Sequence, residues 1–585
     1  MDNYKKAIEY IEKRMLDYGK KYPTQAAALL SGHRCPYTKY LIEAFCFIAS
    51  DIENQNDDNL NKLAQQLVEI ICPHYLYPQP SSVILEFIPK DGFMKTAKTV
   101  KKGTQVSSVS ISGFPCKFTT STSVIVRPLN ISNVEKNRND THDTLQLVLK
   151  KNNQTKWGNV GKEPLSIHLH GGVHGEHRKA FYLYYNILKK VKNVSVTWNN
   201  FTKNFSPDVF QPAIRHMDDD YFSSLYPKFS FKSFRLFQNY FHFYQSLLFI
   251  ELDIFSKLNI PDEIFEITVN VDMEYNDIIP RDFNFRLNCV PAINLFDDEE
   301  SSESIKFDNS KIEHEIEINE SYKKHRFPIF VNHVTGAINN ERFEYKPFVS
   351  YRHELDDKNS GYYFLRRKYD EDDQSTLFIQ IIRSKKRNND ETKNSSKDET
   401  ISLNLKCSNG SLASLLGPGD INTIDSKRLD FVNVQNITIP TEPVNPKIEG
   451  KELWTLINSL SLNYLSIANV DYLKKMLLLF EPKNDIANQM RINGIDSVEL
   501  SSEPVRKIMK GGVVHGQLMN VYLNSKNFTN IGDMLVFSEI FSNFISMYIS
   551  INSFCILRVI EKNKKKKNQK EIIYECQITG ERNLL

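Results

Sequence analysis

The sequence predicts an α+β protein with an N-terminal helical bundle segment, mainly antiparallel β domains and a mixed α/β C-terminal part. Three observations lead to this fold class. Up to about residue 80, apolar residues recur at steps of three and four, which is typical of helices. From residue 81, short β-type runs are separated by Gly and Pro, which favours strands. Beyond residue 400 both patterns occur.

These changes of pattern divide the chain into segments. Its 585 residues leave room for about three or four domains of about 150 residues each. The predicted segments are a helical assembly segment at 1–80, a small β domain at 81–135, a β-rich middle domain at 136–384, a mobile linker or loop at 385–400 and a mixed α/β domain at 401–585. The linker is predicted because its charged and polar residues bury too little apolar surface to fold.

The composition is typical of a soluble globular protein. Hydrophobic residues form 41% of the chain, charged residues form 25%, and a net charge of +3 gives no general attraction to nucleic acid or anionic membranes. No run of about 18 apolar residues is present to span a bilayer, and the N-terminus lacks the apolar core of a secretion signal. The eight cysteines are scattered without C-x-x-C pairs, which indicates reduced core residues in a cytoplasmic protein.

The central element of the N-terminal segment is a predicted helix at residues 36–53. One face carries an apolar stripe at helical spacing, formed by Leu41, Ala44, Phe45, Ile48 and Ile52. Further apolar residues beside the stripe make it wider than a surface helix needs, so the helix must be covered on several sides. The cover comes from the same chain or from other subunits. These five residues are our candidate assembly interface.

Two more helices are predicted beside this one. Residues 4–21 form an amphipathic helix that ends before Pro23, since proline interrupts a helix. Residues 57–71 form the other, which ends before Pro73. Its predicted inward face consists of Leu60, Leu63, Leu67 and Ile70.

The β-rich part is predicted from short runs of β-branched and aromatic residues. The predicted strands are 83–88, 104–111, 114–119, 124–127, 145–149, 165–169, 180–187, 343–351 and 377–383. Residues 287–296 are predicted to form one buried strand that runs into an acidic loop at 297–300.

The C-terminal part combines both kinds of element. Helices are predicted at residues 453–467, 472–480 and 535–550, and strands at 513–523. Residues 554–560 and 572–576 are predicted to close the chain as a hairpin around a lysine-rich tip at 562–570.

The strongest candidate for a metal site is the histidine-rich stretch from His168 to His177. Two histidines at H-x-H spacing on a strand point the same way, which suits a metal, but no carboxylate or cysteine partner is evident. We interpret the stretch as a strand ending in a flexible turn with exposed histidines, and metal binding is the alternative. The acidic run 297–300 is interpreted as a solvated loop rather than a cation site, and the lysine-rich tip as a basic hairpin rather than a nucleic-acid site.

The sequence predicts no enzyme. The motifs of serine hydrolases, zinc proteases and P-loop nucleotidases (G-x-S-x-G, H-E-x-x-H and G-x-x-x-x-G-K-[ST]) do not occur. We therefore predict no catalytic residues, no cofactor and no resident metal. The alternative from another functional class is a carbohydrate-binding or carbohydrate-processing β protein, which the many aromatics and scattered acids would suit.

Several stretches, in order along nearly the whole chain, resemble the TssF family (also named VasA or ImpG) of bacterial type VI secretion systems. They are P-Y-T-K-Y-L-I-E-A-F-C-F-I-A at 36–49, P-H-Y-L at 73–76, G-T at 103–104, C-K-F-T-T at 116–120, F-R-L…Y-F at 234–241, N-C-V-P-A-I-N-L-F at 288–296, L-S-L-N-Y-L at 460–465 and S-I-N-S-F at 550–554. Two departures occur: Lys39 and Tyr40 replace the E-R of the first motif, and C-S-N-G-S-L at 407–412 lacks an arginine and a proline of the family pattern.

The resemblance implies a structural role in a contractile, phage-tail-like apparatus. It implies a wedge of two such chains with one TssG-like subunit, which joins TssK-like and TssE-like subunits around the spike hub. It also implies a cytoplasmic complex docked at the inner membrane, without membrane insertion or nucleic acid. In this role the wedge supports sheath and tube assembly and triggers contraction.

Overall fold

The computed structural model describes the chain from residue 60 to residue 579, with gaps. The described residues are 60–69, 72–172, 177–213, 232–298, 304–306, 311–338, 341–348, 361–369, 375–382, 399–424, 427–448, 450–460, 468–501, 505–509, 512–549, 553–562 and 571–579. This part of the chain contains helices and many antiparallel strands and is mostly β. The predicted helices at 4–21 and 36–53, the mobile linker up to residue 398 and the lysine-rich tip from residue 563 lie outside it.

The first sheet has six described strands and unites segments that are far apart in sequence. Its strands in spatial order are Ile421–Ile424, Gln105–Ile111, Phe114–Thr120, Cys289–Ile293, Ser82–Pro89 and Val432–Asn436. Ser82–Pro89 is buried almost throughout because Val83, Leu85 and Phe87 enter the core of this sheet while Ile84 packs into a second cluster on the other face. A two-stranded ribbon of Lys98–Val100 and Val124–Val126 adds to the same core.

Two antiparallel sheets form the middle of the molecule. A five-stranded sheet has the order Phe201–Phe205, Val191–Trp198, Glu266–Met273, Asp143–Lys151 and Leu129–Arg138. A four-stranded sheet has the order Phe210–Pro212, Phe249–Leu252, Leu165–Leu169 and Phe285–Leu287. Helices His177–Lys189 and Lys232–Phe243 accompany them and share their hydrophobic core.

The largest sheet has eight described strands. Seven follow the order Phe296–Asp298, Thr400–Ser408, Phe327–Ile338, Glu341–Pro347, Gly361–Tyr369, Ser375–Ile382 and His314–Glu315, and Ile305–Lys306 pairs with Thr400–Ser408. We call it the eight-stranded sheet. Its apolar side chains form a core of their own.

The C-terminal sheet is built around a buried helix, Ile531–Ser546. Its strands are Ile495–Leu500, Val505–Met509, Gly512–Leu523, Phe554–Glu561 and Glu571–Thr579. Gly512–Leu523 runs parallel to Phe554–Glu561, and the buried helix lies between them in the chain. The last two strands form the predicted closing hairpin.

The remaining elements are helical. The other α-helices lie at 60–69, Gly450–Leu460, Val470–Leu479 and Ile486–Asn493. Short 3-10 helices lie at Pro73–Leu76, Trp157–Asn159, Pro207–Val209, Tyr244–Leu247, Phe255–Lys257, Asp282–Asn284, Gly410–Leu415, Lys427–Leu429 and Ser525–Asn527. The C-terminal helices share one continuous core with the two middle sheets.

Most of the predicted strands agree with the structure, and 165–169 agrees to the residue. The strand predicted at 180–187 is wrong, because this stretch belongs to helix His177–Lys189. Ala180, Tyr184 and Ile187 recur at helical steps and are buried. Gly532, on the buried helix, permits a close approach, because a Cβ atom there would overlap the backbone carbonyl of Phe181.

Candidate assembly surfaces and the contacts that fix them

The predicted assembly interface lies just before the described part of the chain. Leu41, Ala44, Phe45, Ile48 and Ile52 are all outside the described residues, and their role stays a prediction. The helix at 60–69 is the described element nearest to them in sequence. Its surroundings therefore show how the chain that follows the predicted interface joins the rest of the molecule.

Helix 60–69 buries small apolar side chains and polar side chains and leaves two of its leucines exposed. Ala64 and Val68 are fully buried in the large core, but Leu60 and Leu63 are 53% and 48% exposed. The inward face predicted from the leucines is therefore wrong for these two residues. The reason is that polar groups of a neighbouring strand, Gly361–Tyr369, pair with the polar face of this helix.

Three side chains on one face of this helix contact the eight-stranded sheet. Lys62 Nζ lies 2.7 Å from Glu313 Oε1, and Glu313 Oε2 lies 3.3 Å from Arg366 on strand Gly361–Tyr369. Gln65 Nε2 donates to the carbonyl of Arg367, 3.3 Å away, on the same strand. We call these contacts, together with that of Glu69 one turn further along, the helix contact.

Glu69 is a buried carboxyl group within the helix contact. It is 7% exposed, and it accepts a hydrogen bond from the backbone N–H of Leu365. Burial raises the pKa of Glu69 from 4.5 to about 8, and the hydrogen bond from Leu365 opposes this rise only in part. Glu69 is therefore mostly protonated at neutral pH and becomes charged as the pH passes 8.

We expect the substitution Glu69→Gln to remove a pH-dependent loss of stability. Folding raises the pKa of this carboxyl group, so the folded state holds its proton more tightly than the unfolded state does. The contribution of the proton to stability is complete below the pKa of the unfolded state and is lost as the pH rises to the pKa of the folded state. The wild-type protein should therefore weaken between about pH 4.5 and 8, and the variant should exceed it by about 4 kcal/mol near pH 8. Thermal melts at pH 5 and pH 8.5 measure this difference. Equal curves at both pH values would contradict the prediction, and Glu317→Gln, at an exposed position, is the control.

The run at 285–298 passes through three sheets in succession. Phe285–Leu287 belongs to the four-stranded sheet, Cys289–Ile293 to the six-stranded sheet and Phe296–Asp298 to the eight-stranded sheet. The single strand predicted at 287–296 is therefore wrong, because the chain changes sheets at Asn288 and again at Asn294. Asp297 and Asp298, predicted as part of a loop, lie in the last of these strands.

Asn288 fixes the first change of sheet. Its φ of +53° is a left-handed conformation, which asparagine adopts more readily than most residues. Its side-chain oxygen accepts a hydrogen bond from the backbone N–H of Arg127 at 2.8 Å, and its amide donates to the Arg127 carbonyl at 3.2 Å. Arg127 is itself buried, and its guanidinium donates to the carbonyls of Glu163 and Pro164.

Asn294 and Asn409 fix the second change of sheet, and we call them the amide pair. Asn294 Nδ2 donates to Asn409 Oδ1 at 2.8 Å, and the backbone N–H of Asn409 donates to Asn294 Oδ1 at 2.7 Å. The pair also binds the backbone of Lys117 and the carbonyl of His325. Asn409 belongs to the divergent motif at 407–412, and it makes these contacts in a motif that lacks the arginine and proline of the family pattern.

A charged network fixes the beginning of the buried helix. Asp533 is fully buried and accepts hydrogen bonds from Tyr240 at 2.5 Å and from Arg491 at 2.9 Å. Arg491 also donates to Asn488 and Thr529. The network connects three helices, Lys232–Phe243, Ile486–Asn493 and Ile531–Ser546.

Sequence reasoning missed both the amide pair and this network. A signal was available, because Asn294 and Asp533 stand among apolar residues, and a polar residue in a buried element needs hydrogen-bond partners. The partners, Asn409 and Arg491, have no such signal, because they lie 115 and 42 positions away.

The histidine-rich stretch is only partly as predicted. His168 and His170 are 1% and 6% exposed, so the prediction of exposed histidines is wrong for these two. Burial lowers the pKa of His168 to about 3 and that of His170 to about 4, so both are neutral at physiological pH. His174 and Glu176 lie outside the described residues. Within the described ranges no group of three or more His, Cys, Asp or Glu side chains is arranged to hold a metal ion.

Two open clefts lie on either side of Asn288, with volumes of about 490 and 590 Å³. The first is lined by Arg127, whose guanidinium donates to backbone carbonyls. The second is lined by Glu86, which accepts a hydrogen bond from Gln435 at 2.8 Å and lies 3.5 Å from Arg286. These charged groups therefore stabilise the junction between the sheets.

In the described part of the chain, no helix is both long and apolar enough to cross a membrane.

Solved structures of other proteins contain chains with a similar fold. The solved structure of a type VI secretion system TssK-TssF-TssG baseplate subcomplex contains a chain that superposes with a TM-score of 0.73, at 22% identity, over 92% of this chain and 98% of that one. A chain of the baseplate complex from the type VI secretion system gives a TM-score of 0.63 at 20% identity, over 98% of both chains. At these identities the likeness shows a shared fold.

The sequence comparisons agree with the fold. The chain is 23% identical to type VI secretion system component TssF1 of Pseudomonas aeruginosa over 96% of its own length and 97% of that protein. The family model described as "Type VI secretion system, TssF" matches residues 1–572. The chain therefore belongs to the TssF family of the type VI secretion system.

Proposed function

We propose that this chain is a structural wedge subunit of a type VI secretion baseplate. The observation that carries the proposal is the family match over residues 1–572. The geometry supports it, because buried polar side chains hold sheets and helices to one another, among them Asn288, Asn294, Asn409 and Asp533. Such contacts suit a non-enzymatic part whose role is to hold other subunits at fixed positions.

The proposed partners are those that the family resemblance implies. They are a second copy of the chain, a TssG-like subunit, TssK-like and TssE-like subunits, and the spike hub. The solved complex with a similar chain contains TssK and TssG, which supports the TssG-like and TssK-like partners. We place the complex in the cytoplasm, docked at the inner membrane, where rearrangement of its interfaces triggers contraction. The division of the chain at residues 80, 135, 384 and 400 remains part of this proposal.

The proposed interface is the apolar stripe of the predicted helix at 36–53. The stripe consists of Leu41, Ala44, Phe45, Ile48 and Ile52. Helix 60–69 follows this segment in the sequence, and its exposed Leu60 and Leu63 offer further apolar surface to a partner. Apolar residues at these spacings suit a helix bundle shared between chains.

We expect Ala44→Arg to abolish binding of the TssG-like partner while the chain stays folded. An unpaired charge in a dry helix contact costs several kcal/mol, which lowers affinity by at least about a hundredfold. The test is co-expression with the TssG-like subunit, affinity purification through a tag on this chain, and native mass measurement. Ala487→Arg, at an exposed helical position, is the matched control and should bind the partner normally.

Two outcomes would contradict the interface assignment. Normal yield of the complex with Ala44→Arg would show that Ala44 lies outside the contact. Aggregation of the Ala44→Arg chain, with Ala487→Arg soluble, would show that Ala44 belongs to the core of its own chain. If the wild-type chain itself fails to bind the TssG-like subunit, the proposed wedge role is wrong.

A further inference from the structure

Lysines are concentrated on one surface beside the six-stranded sheet. Residues 90–102 and 156–162 contain seven lysines and one carboxylate, Asp91, which is a net charge of +6, whereas the whole chain has a net charge of +3. The two segments are adjacent in space, because the backbone N–H of Ala97 donates to the carbonyl of Asn159 at 2.8 Å. We call these two segments the basic face. Its exposed lysines are Lys95, Lys98, Lys101, Lys156 and Lys162.

One large apolar side chain projects from the basic face. Phe93 is 73% exposed, although the next residue, Met94, is buried in the core of the six-stranded sheet. Phe93 lies on a turn in which its backbone N–H donates to the Lys90 carbonyl at 3.3 Å. Gly92, in the same turn, has a φ of +80°, a left-handed conformation that favours glycine. The turn therefore directs Phe93 outward among lysines.

Contacts on both sides of this turn hold it against the six-stranded sheet. The backbone N–H of Lys90 donates to the carbonyl of Phe431 at 3.0 Å, and Lys98 Nζ lies 4.2 Å from the centre of the Phe431 ring. Phe431 directly precedes Val432–Asn436, the last strand in the order of that sheet. The turn is thus fixed before a partner binds. An aromatic side chain on a fixed turn loses less conformational entropy on binding than one on a mobile loop.

We propose that the basic face is a docking surface for an acidic surface of another baseplate protein, with Phe93 entering an apolar pocket of that protein. This inference rests on the proposed function, because the proposed baseplate supplies the partner. Complementary charges speed association and select the partner, and an aromatic side chain in an apolar pocket is typical of the residues that dominate binding.

Nucleic acid and anionic lipid also attract lysines, but the basic face suits them less well. The carboxylates of Asp91 and Glu163 are exposed within and directly beside it. They would repel phosphate groups, because like charges at short distance repel each other. A protein partner can present charges of both signs, and so can place cationic groups opposite these two carboxylates.

The first test is hydrogen exchange of the full chain, free and in complex with the TssG-like and TssK-like subunits. Both subunits are named in the solved complex with a similar chain. Amides of residues 91–97 should exchange at least about tenfold more slowly in the complex than in the free chain. The substitutions Phe93→Ala and Lys95→Glu/Lys101→Glu should each remove most of this slowing, because they remove the apolar anchor and reverse the charge of the basic face.

Matched controls make the same chemical changes at exposed positions elsewhere. They are Phe201→Ala and Lys323→Glu/Lys324→Glu, and both should keep the slowing seen in the wild type. Unchanged exchange of residues 91–97 in the wild-type complex would overturn the proposal. Equal slowing in the wild type and in the basic-face variants would overturn it as well.

A second measurement uses the free chain and a probe peptide composed of glutamate and leucine. The wild type should bind this peptide with an affinity that falls as salt rises, and both basic-face variants should bind it at least about tenfold more weakly. Tighter binding of poly(U) RNA or of phosphatidylglycerol vesicles through the same residues would overturn the assignment to an acidic protein. If the wild type fails to bind the TssG-like and TssK-like subunits, the proposed function is wrong, and the peptide titration still decides whether the basic face recognises an acidic, apolar surface.

Discussion

The substitution Arg491→Met is expected to destabilise the C-terminal part by about 3–5 kcal/mol. Asp533 is 0% exposed and the Arg491 side chain is 11% exposed, so this is a buried ion pair. Removing one partner leaves a charge in the interior without its counter-charge, and such changes cost about 3–5 kcal/mol. Native-state hydrogen exchange of helix Ile531–Ser546 measures the effect locally, which suits a chain with several cores better than one melting temperature.

A second substitution separates the charge from the packing. Adding Asp533→Asn to Arg491→Met removes the unpaired carboxylate and keeps its size, so exchange in the helix should slow again. The asparagine can still accept the hydrogen bond from Tyr240. If the double variant is as unstable as the single one, packing of the Arg491 side chain and not the ion pair is what stabilises the helix.

The substitution Asn409→Leu is expected to loosen the joint between the six-stranded and eight-stranded sheets by about 3–5 kcal/mol. The Asn409 side chain makes three hydrogen bonds, to Lys117 N–H, the Asn294 amide and the His325 carbonyl, with lengths of 2.8–3.0 Å. Leucine of similar size leaves these buried groups without partners, at a cost of about 1–3 kcal/mol for each. Proteolysis in urea should cleave the variant near residues 294–296 and 408–410 at lower urea than the wild type.

The matched control is Asn433→Leu, which makes the same chemical change at an exposed position of strand Val432–Asn436. Cleavage of Asn433→Leu and Asn409→Leu at the same urea concentration would contradict the assigned role of the amide pair. An unchanged cleavage pattern with reduced overall stability would contradict its placement at the joint.

Local patterns in the sequence were sufficient to predict the positions of most strands. Residues 165–169 and 554–560 were predicted correctly because a short run of strand-favouring residues is a local property of the sequence. Residues 180–187 were not, because an almost continuous apolar run fits a buried strand and a buried helix equally well. In the structure this stretch is helical and packs against helix Ile531–Ser546, some 350 residues later in the sequence.

At the candidate interface, too, the sequence predicted some features and the structure decided others. The apolar stripe of Leu41, Ala44, Phe45, Ile48 and Ile52 was evident from spacing alone, and its role stays a prediction. For helix 60–69 the leucine spacing indicated the wrong inward face at Leu60 and Leu63. The leucine spacing could not show that Ala64 and Val68 face the large core, nor that strand Gly361–Tyr369 provides polar partners for Gln65 and Glu69.

By itself, the sequence determined the α+β class, the family resemblance and most strands, because spacing and motifs are properties of neighbouring residues. The tertiary structure decided how the run at 285–298 passes through three sheets, and it decided which buried polar residues are paired. Asn294 and Asp533 need partners wherever they are buried, but those partners, Asn409 and Arg491, come from distant segments. Only the folded chain brings these segments together, because the hydrogen bonds that hold them depend on distances in space and not on separation along the sequence.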